Sequence, residues 1–277
     1  MKVANADPSA EHISHVSSFQ LHSTRRFLMR RLSSTAVLFA VAALPLALSA
    51  CSSGGSTSAG AAKSAAETPN TPTTSQTPKD PNAGLATGAR LKTDLAPASF
   101  IGPGYAVDAS GVRDSGTMFQ EPSSAPAALS KPDCTKLSGT GWITVTGDGG
   151  VSFAQNDYAN KNTSAEIGQE IDVFRGTTAE TVLNHLKKVV AACPTYKDAD
   201  TKTTVKVKGA ATSGLGDEAY TITLTDSAWQ NGSTLIAVRQ GTAVVTVLST
   251  AGHDNGVATA KKLAARVTAA VGANAKG

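Results

Sequence analysis

The sequence predicts an α+β domain: an antiparallel sheet with two main helices packed on one face. Short segments alternate apolar and polar residues, as strands with one packed and one wet face do. Two other segments carry apolar residues at helical spacing instead. Nothing in the composition opposes this reading. A chain of 277 residues with 40% hydrophobic residues and three cysteines is neither collagen-like, nor a disulfide-dense miniprotein, nor a polytopic membrane protein. Of the formal charge of +4, the first 50 residues hold five basic and two acidic side chains, leaving 20 basic against 19 acidic beyond them. A body so close to neutral argues against a nucleic-acid surface, which needs clustered cations against backbone phosphates.

Residues 1–50 read as an export leader. Arg25, Arg26, Arg30 and Arg31 precede an uncharged run from Ser33 to Ala50 that ends in small side chains. As a helix, Thr35 to Ala50 would be roughly 24 Å long, short of a hydrocarbon core of about 30 Å, so a permanent single-span anchor is the weaker reading. Leu48-Ser49-Ala50-Cys51 resembles the lipobox of bacterial lipoproteins. The resemblance implies cleavage before Cys51 and lipidation of its thiol, and two or more acyl chains hold a protein firmly on a bilayer. Thr24 to Met29 also resembles a twin-arginine motif. A start at Met29 leaves a leader of ordinary length, so residues 1–28 are open to reading as a start-site overcall.

Residues 51–83 are expected to be the lipidated cysteine and a disordered tether. From Ser52 to Ala83 there is no Val, Ile, Leu, Met or aromatic residue. Such a chain cannot bury enough apolar surface to offset its ordering entropy. Its root-mean-square reach is about 30 Å.

Residues 84–277 form the domain. The Asp148-Gly149-Gly150 turn is expected to join a strand at Trp142–Thr146 to one at Val151–Asp157. Thr177-x-x-Glu180 is a capping-box signature opening a helix, with Val182, Leu183, Leu186, Val189, Val190 and Cys193 on one arc and Pro194 ending it. Thr203–Lys208 alternates valines with lysines, and Glu218–Thr225 sets Tyr220, Ile222 and Leu224 against three threonines. Leu235–Arg239 and Thr242–Leu248 flank Gln240-Gly241, a hairpin turn in which Gly241 accepts positive φ. A last helix begins near Asp254 or Asn255, with Val257, Ala260, Leu263, Ala264, Val267 and Val271 on one face. With Cys51 given to lipid, Cys134 and Cys193 remain, and an exported chain pairs them in one disulfide.

Motifs of chemistry are scarce. Past Cys51 the histidines are His185 and His253, and G-x-S-x-G, H-E-x-x-H, C-x-x-C and S-x-x-K do not occur. His185 reads as a structural histidine at the border of its helix's apolar arc. No catalytic residue, metal site or cofactor is expected. Three residues are candidate ligand contacts: Trp229 in the polar loop Asp226–Gly232, Tyr105 after Ile101-Gly102-Pro103-Gly104, and Asp217 in Gly214–Glu218. A loop Trp offers a stacking surface, but it equally folds back on a sheet edge.

Several of these stretches together resemble exported actinobacterial lipoproteins related to the extracellular sensor domain of the mycobacterial Ser/Thr kinase PknH. They are Leu91…Asp94-Leu95…Pro97…Gly104-Tyr105, Cys134, Ile171-Asp172-Val173-Phe174…Thr178-Ala179-Glu180 leading to Cys193, Gly216-Asp217-Glu218-Ala219, and Val238-Arg239…Gly241…Val244-Val245. The resemblance spans roughly residues 85–272 and implies an antiparallel sheet with helices and a cleft for an unidentified ligand. One cysteine pair stands where the kinase domain has two, and no kinase domain follows. The expectation is a non-enzymatic ligand-binding or sensor-like lipoprotein, anchored by lipid at the extracytoplasmic face of the cell membrane. An unidentified envelope ligand or protein would be its partner. An envelope enzyme with dispersed catalytic residues, and a structural lipoprotein docking to another envelope protein, are the alternatives.

Overall fold

The computed structural model describes residues 79–122 and 129–274. The leader, Cys51 and nearly all of the tether lie outside the described residues. Among the described residues no helix is long and apolar enough to cross a membrane. At the start of the described residues, Asn82 Oδ1 accepts from Arg175 Nε at 2.9 Å.

Two short helices, α1 (Gly88–Leu91) and α2 (Ala98–Ile101), precede the sheet. The strands β1 (Tyr105–Asp114), β2 (Ser152–Asn160) and β3 (Glu166–Val173) form a meander. Helix α3 (Thr178–Ala192) then carries the chain to the far edge. From there β4 (Thr195–Lys197), β5 (Thr204–Thr212), β6 (Glu218–Thr225), β7 (Ser233–Gln240) and β8 (Ala243–Ser249) return strand by strand. Helix α4 (Val257–Asn274) ends the fold. The strands make one eight-stranded antiparallel sheet in the order β1-β2-β3-β8-β7-β6-β5-β4, closed in its middle by β3 against β8.

The sheet is packed on both faces, which corrects the expectation of two helices on one. Leu235 and Ala237 of β7 join the apolar cluster beneath α3, whereas Ile236 and Val238 join the cluster beneath α4. Val244 and Val245 of β8 divide in the same way. Successive side chains of a strand point to opposite faces, so α3 and α4 lie on opposite sides. Both central strands are apolar at consecutive positions. Strands of that kind need cover on each face, and each fully buried Val, Leu or Ile contributes roughly 1.5–3 kcal/mol.

The helices keep their expected arcs. In α3, Val182, Leu183, Leu186, Val189 and Val190 are buried. Thr177 stands at its cap position, but the hydroxyl makes no capping bond, so the capping box does not form. In α4, Ala260, Leu263, Ala264, Val267 and Val271 are buried, and Asp254 Oδ2 accepts from the Ala258 amide at 2.8 Å. On its flank, Lys262 and Arg266 stand over the Phe100 ring at 4.9 and 5.9 Å.

The segment around Trp142 is a second correction. It forms a 3₁₀ helix, Thr140–Val145, and not a strand. Trp142 is fully buried beside α3, and its Nε1 donates to Thr246 Oγ1 at 3.1 Å. A buried indole needs an acceptor for its N–H, and a threonine inside an otherwise apolar strand supplies one. The preceding 3₁₀ turn, Cys134–Ser138, is tied to the C-cap of α3 by the expected Cys134–Cys193 disulfide, with a Cα–Cα distance of 5.6 Å.

Candidate functional site

The three residues singled out for ligand contact are dispersed. Asp217 precedes β6 and Trp229 follows it, so they stand at opposite ends of a strand of eight residues, roughly 26 Å long at about 3.3 Å per residue. Tyr105 opens β1, the edge strand five positions from β6 in the sheet. Each has local work. Asp217 Oδ2 accepts from the Gly241 amide at 2.7 Å and from Arg239 Nη1 at 3.1 Å, which ties the β5–β6 loop to the β7–β8 turn. Trp229 is half-buried against the apolar cluster beneath α3, so it folds back on the sheet. Tyr105 packs at the margin of the α4-side cluster, and burial raises its phenol above the ordinary value.

The structure also gathers polar groups that sequence reasoning missed. His185 Nδ1 lies 2.8 Å from Asp148 Oδ2, both partly buried. A histidine oriented by a carboxylate is half of a nucleophile-activating set. Among the described residues no hydroxyl or thiol is recorded at its other ring nitrogen. The pairing joins α3 to the loop before β2, 37 residues apart, so no spacing in the sequence announces it.

A row of carboxylates occupies the α3-side face of β2 and β3. The strand register sets Gln155 opposite Glu170, Asp157 opposite Gly168, and Phe153 opposite Asp172. Asp157, Glu170 and Asp172 are all buried. Gln155 Nε2 donates to both oxygens of Asp157, at 3.1 and 3.0 Å, and Arg113 donates to Gln155 Oε1. Burial pushes the Asp157 carboxyl up to about 6, against the stabilising Gln155 bonds and with Glu170 adding to the rise. Burial, then the neighbouring Glu170, also raises Asp172 well above the carboxylate range. The room for Asp157 comes from glycine: a Cβ on Gly111 would stand 2.1 Å from its Oδ2. Gly111 belongs to an irregularity where β1 gains residues between Asp108 and Arg113. Among the described residues no group of three or more His, Cys, Asp or Glu side chains is arranged to hold a metal ion.

On the other face, at the β4 edge, lies an open concavity of about 710 Å³. Its floor is the pairing of β5 with its neighbours: Lys197 opposite Thr204, and Lys206 between Thr195 and Thr225. Val205, which alternates with them, faces α3. Lys202 enters from the β4–β5 turn, and Asp226 and Ser227 from the β6–β7 connection. Lys202 holds left-handed backbone, φ 60°, at a cost of roughly 1–2 kcal/mol that glycine would not incur.

No protein-family model and no curated protein sequence matches the chain. Among solved structures, the extracellular domain of PknH from Mycobacterium tuberculosis is similar, at 13% identity and a TM-score of 0.46, over 66% of this chain and 97% of that one.

Proposed function

We propose that this chain is an extracytoplasmic binding module, non-enzymatic and held at the cell membrane by lipid on Cys51. The observation that carries the reading is the Cys134–Cys193 disulfide, which ties the C-cap of α3 to a 3₁₀ turn 59 residues away. Such bonds persist in oxidising compartments and are rare in the reducing cytosol. The leader and lipobox-like tetrad supply a route to that compartment, and the open concavity at the β4 edge is a place where a ligand could be held.

The test is mass spectrometry of the native protein from its membrane fraction. A chain beginning at Cys51 and carrying diacylglycerol is expected, with Cys134 and Cys193 inert to maleimide until reduced. A cytosolic chain with three reactive thiols refutes the reading.

The His185–Asp148 pair favours a second reading, a hydrolase whose nucleophile joins the imidazole when substrate binds. Hydrolysis of p-nitrophenyl esters that disappears in His185→Ala but persists in Lys188→Ala would support it. Equal rates in both variants and the parent would remove it.

A further inference from the structure

We infer that the concavity at the β4 edge is a binding site for a multiply charged oxyanion of the phosphate class. The inference deepens the binding-module reading and rests on it. Three lysines, Lys197, Lys202 and Lys206, line one open space. Thr204, Thr225 and Ser227, which carry hydroxyl donors, line it as well.

The positive charge there is only partly compensated, three lysines standing against one carboxylate. Asp226 is the carboxylate in the lining, and its oxygens are already engaged: both accept from Thr203 Oγ1, at 2.7 and 2.6 Å, and Oδ1 accepts from the Ala228 amide at 2.7 Å. Among the described residues, none of the three lysines forms an ion pair with a carboxylate. Lys197 is instead held in place, donating from Nζ to Thr204 Oγ1 at 2.8 Å. A concave surface with an excess of one sign focuses its field and draws counter-ions.

The choice of residues narrows the ligand class. Lysine presents a compact point charge and three movable donors, and it binds phosphate groups in that way. Three such charges around one space fit a multivalent oxyanion. Lys202 adds a separate argument. The turn that carries it places it at positive φ, where Gly or Asn is the comfortable occupant, yet a lysine stands there and turns into the concavity. The oxyanion can belong to a soluble phosphorylated molecule or to a lipid headgroup.

The experiment titrates the intact protein with pyrophosphate at near-physiological salt, by calorimetry. The Lys197→Gln/Lys206→Gln double variant is expected to weaken binding by about tenfold or more. Lys202→Gly is expected to weaken it several-fold while leaving thermal stability equal or higher, because glycine relaxes the turn. Lys161→Gln, in the β2–β3 loop far from the concavity, should leave binding unchanged. Loss of affinity in Lys161→Gln equal to that in Lys202→Gly, or no pyrophosphate binding by the intact protein, overturns the site. Phosphatidylglycerol vesicles that compete with pyrophosphate, where phosphatidylcholine vesicles do not, identify a headgroup source. Binding indifferent to both identifies a soluble one. A lipidated, disulfide-bonded protein that ignores pyrophosphate refutes this site alone, whereas a cytosolic, reduced protein refutes the module reading whatever it binds.

Discussion

Asp157 shows how a single side chain departs from what its strand position promises. By alternation it shares a face with Gln155, a pattern of solvated strand residues, yet Gly111 and Gly168 let the backbone of β1 and β3 close over it. A carboxyl so enclosed favours its proton, and its value near 6 lies above the ordinary 3.8. The folded state therefore holds a proton that the unfolded chain gives up. The stabilising contribution is complete below about pH 4 and is lost as pH rises through about 6, a change of roughly 3 kcal/mol. Asp172 and Asp94, also raised by burial, act with the same sign. Melting followed by circular dichroism should thus show higher stability at pH 5 than at pH 7. Asp157→Asn keeps a neutral acceptor for Gln155, so it should raise the melting temperature at pH 7 and flatten the profile. A variant less stable than the parent at pH 7 would contradict this account.

The β7–β8 hairpin is the element whose chemistry was most local. Gln240 pairs with Ala243, so Gly241 and Thr242 make the turn, with Gly241 at φ 60°. Positive φ at the first turn residue alone is what a type II′ turn requires, and it is why glycine stands there. Asp217 then bonds the Gly241 amide from the neighbouring loop. Asp217→Ala should lower stability by roughly 1–2 kcal/mol, since it removes a charge-assisted bond to a backbone amide and an Arg239 contact. Urea denaturation measures this. No loss would show that the turn geometry suffices without Asp217. Helix α3 was legible from its arc in a comparable way, as was Asp254 ahead of α4, which begins at Val257 with Asp254 accepting from the Ala258 amide. The 3₁₀ helix around Trp142 was not. Six residues carrying Trp142, Ile143 and Val145 suit a strand equally well, and the choice came from the indole reaching Thr246 across 104 positions of sequence.

At the scale of the molecule, one covalent link joins two distant parts. Cys134 and Cys193 are 59 residues apart, and closing a loop of that length constrains the unfolded chain by roughly 4 kcal/mol in the chain-entropy view. Reduction, or Cys134→Ser with Cys193→Ser, should lower stability by a similar amount, read from denaturant midpoints at constant slope. A loss below about 1 kcal/mol would mean that native packing, not the cross-link, holds the 3₁₀ turn against α3. The two-sided core carries the rest of the architecture. Chain connectivity explains it: α3 crosses from the centre of the sheet to its far edge over one face, and α4 leaves β8 to cover the other.

Strand alternation, helical arcs, the hairpin glycine and the cysteine pairing all follow from spacings of a few residues or from elimination, and the amino-acid order alone determined them. The uninterrupted apolar run Leu235–Val238 even held the sign of a sheet covered twice. Which face each helix covers was decided only when β8 found β3, a contact that pairs Val173 with Ala243 and Ile167 with Ser249. That same closure set Glu170 and Asp172 against β8, and long-range packing brought Asp148 to His185, whereas the three lysines meet through the local pairing of β5 with β4 and β6. Polarity in a sequence fixes what a side chain prefers; what actually lies above it depends on long-range pairing, which no local period encodes.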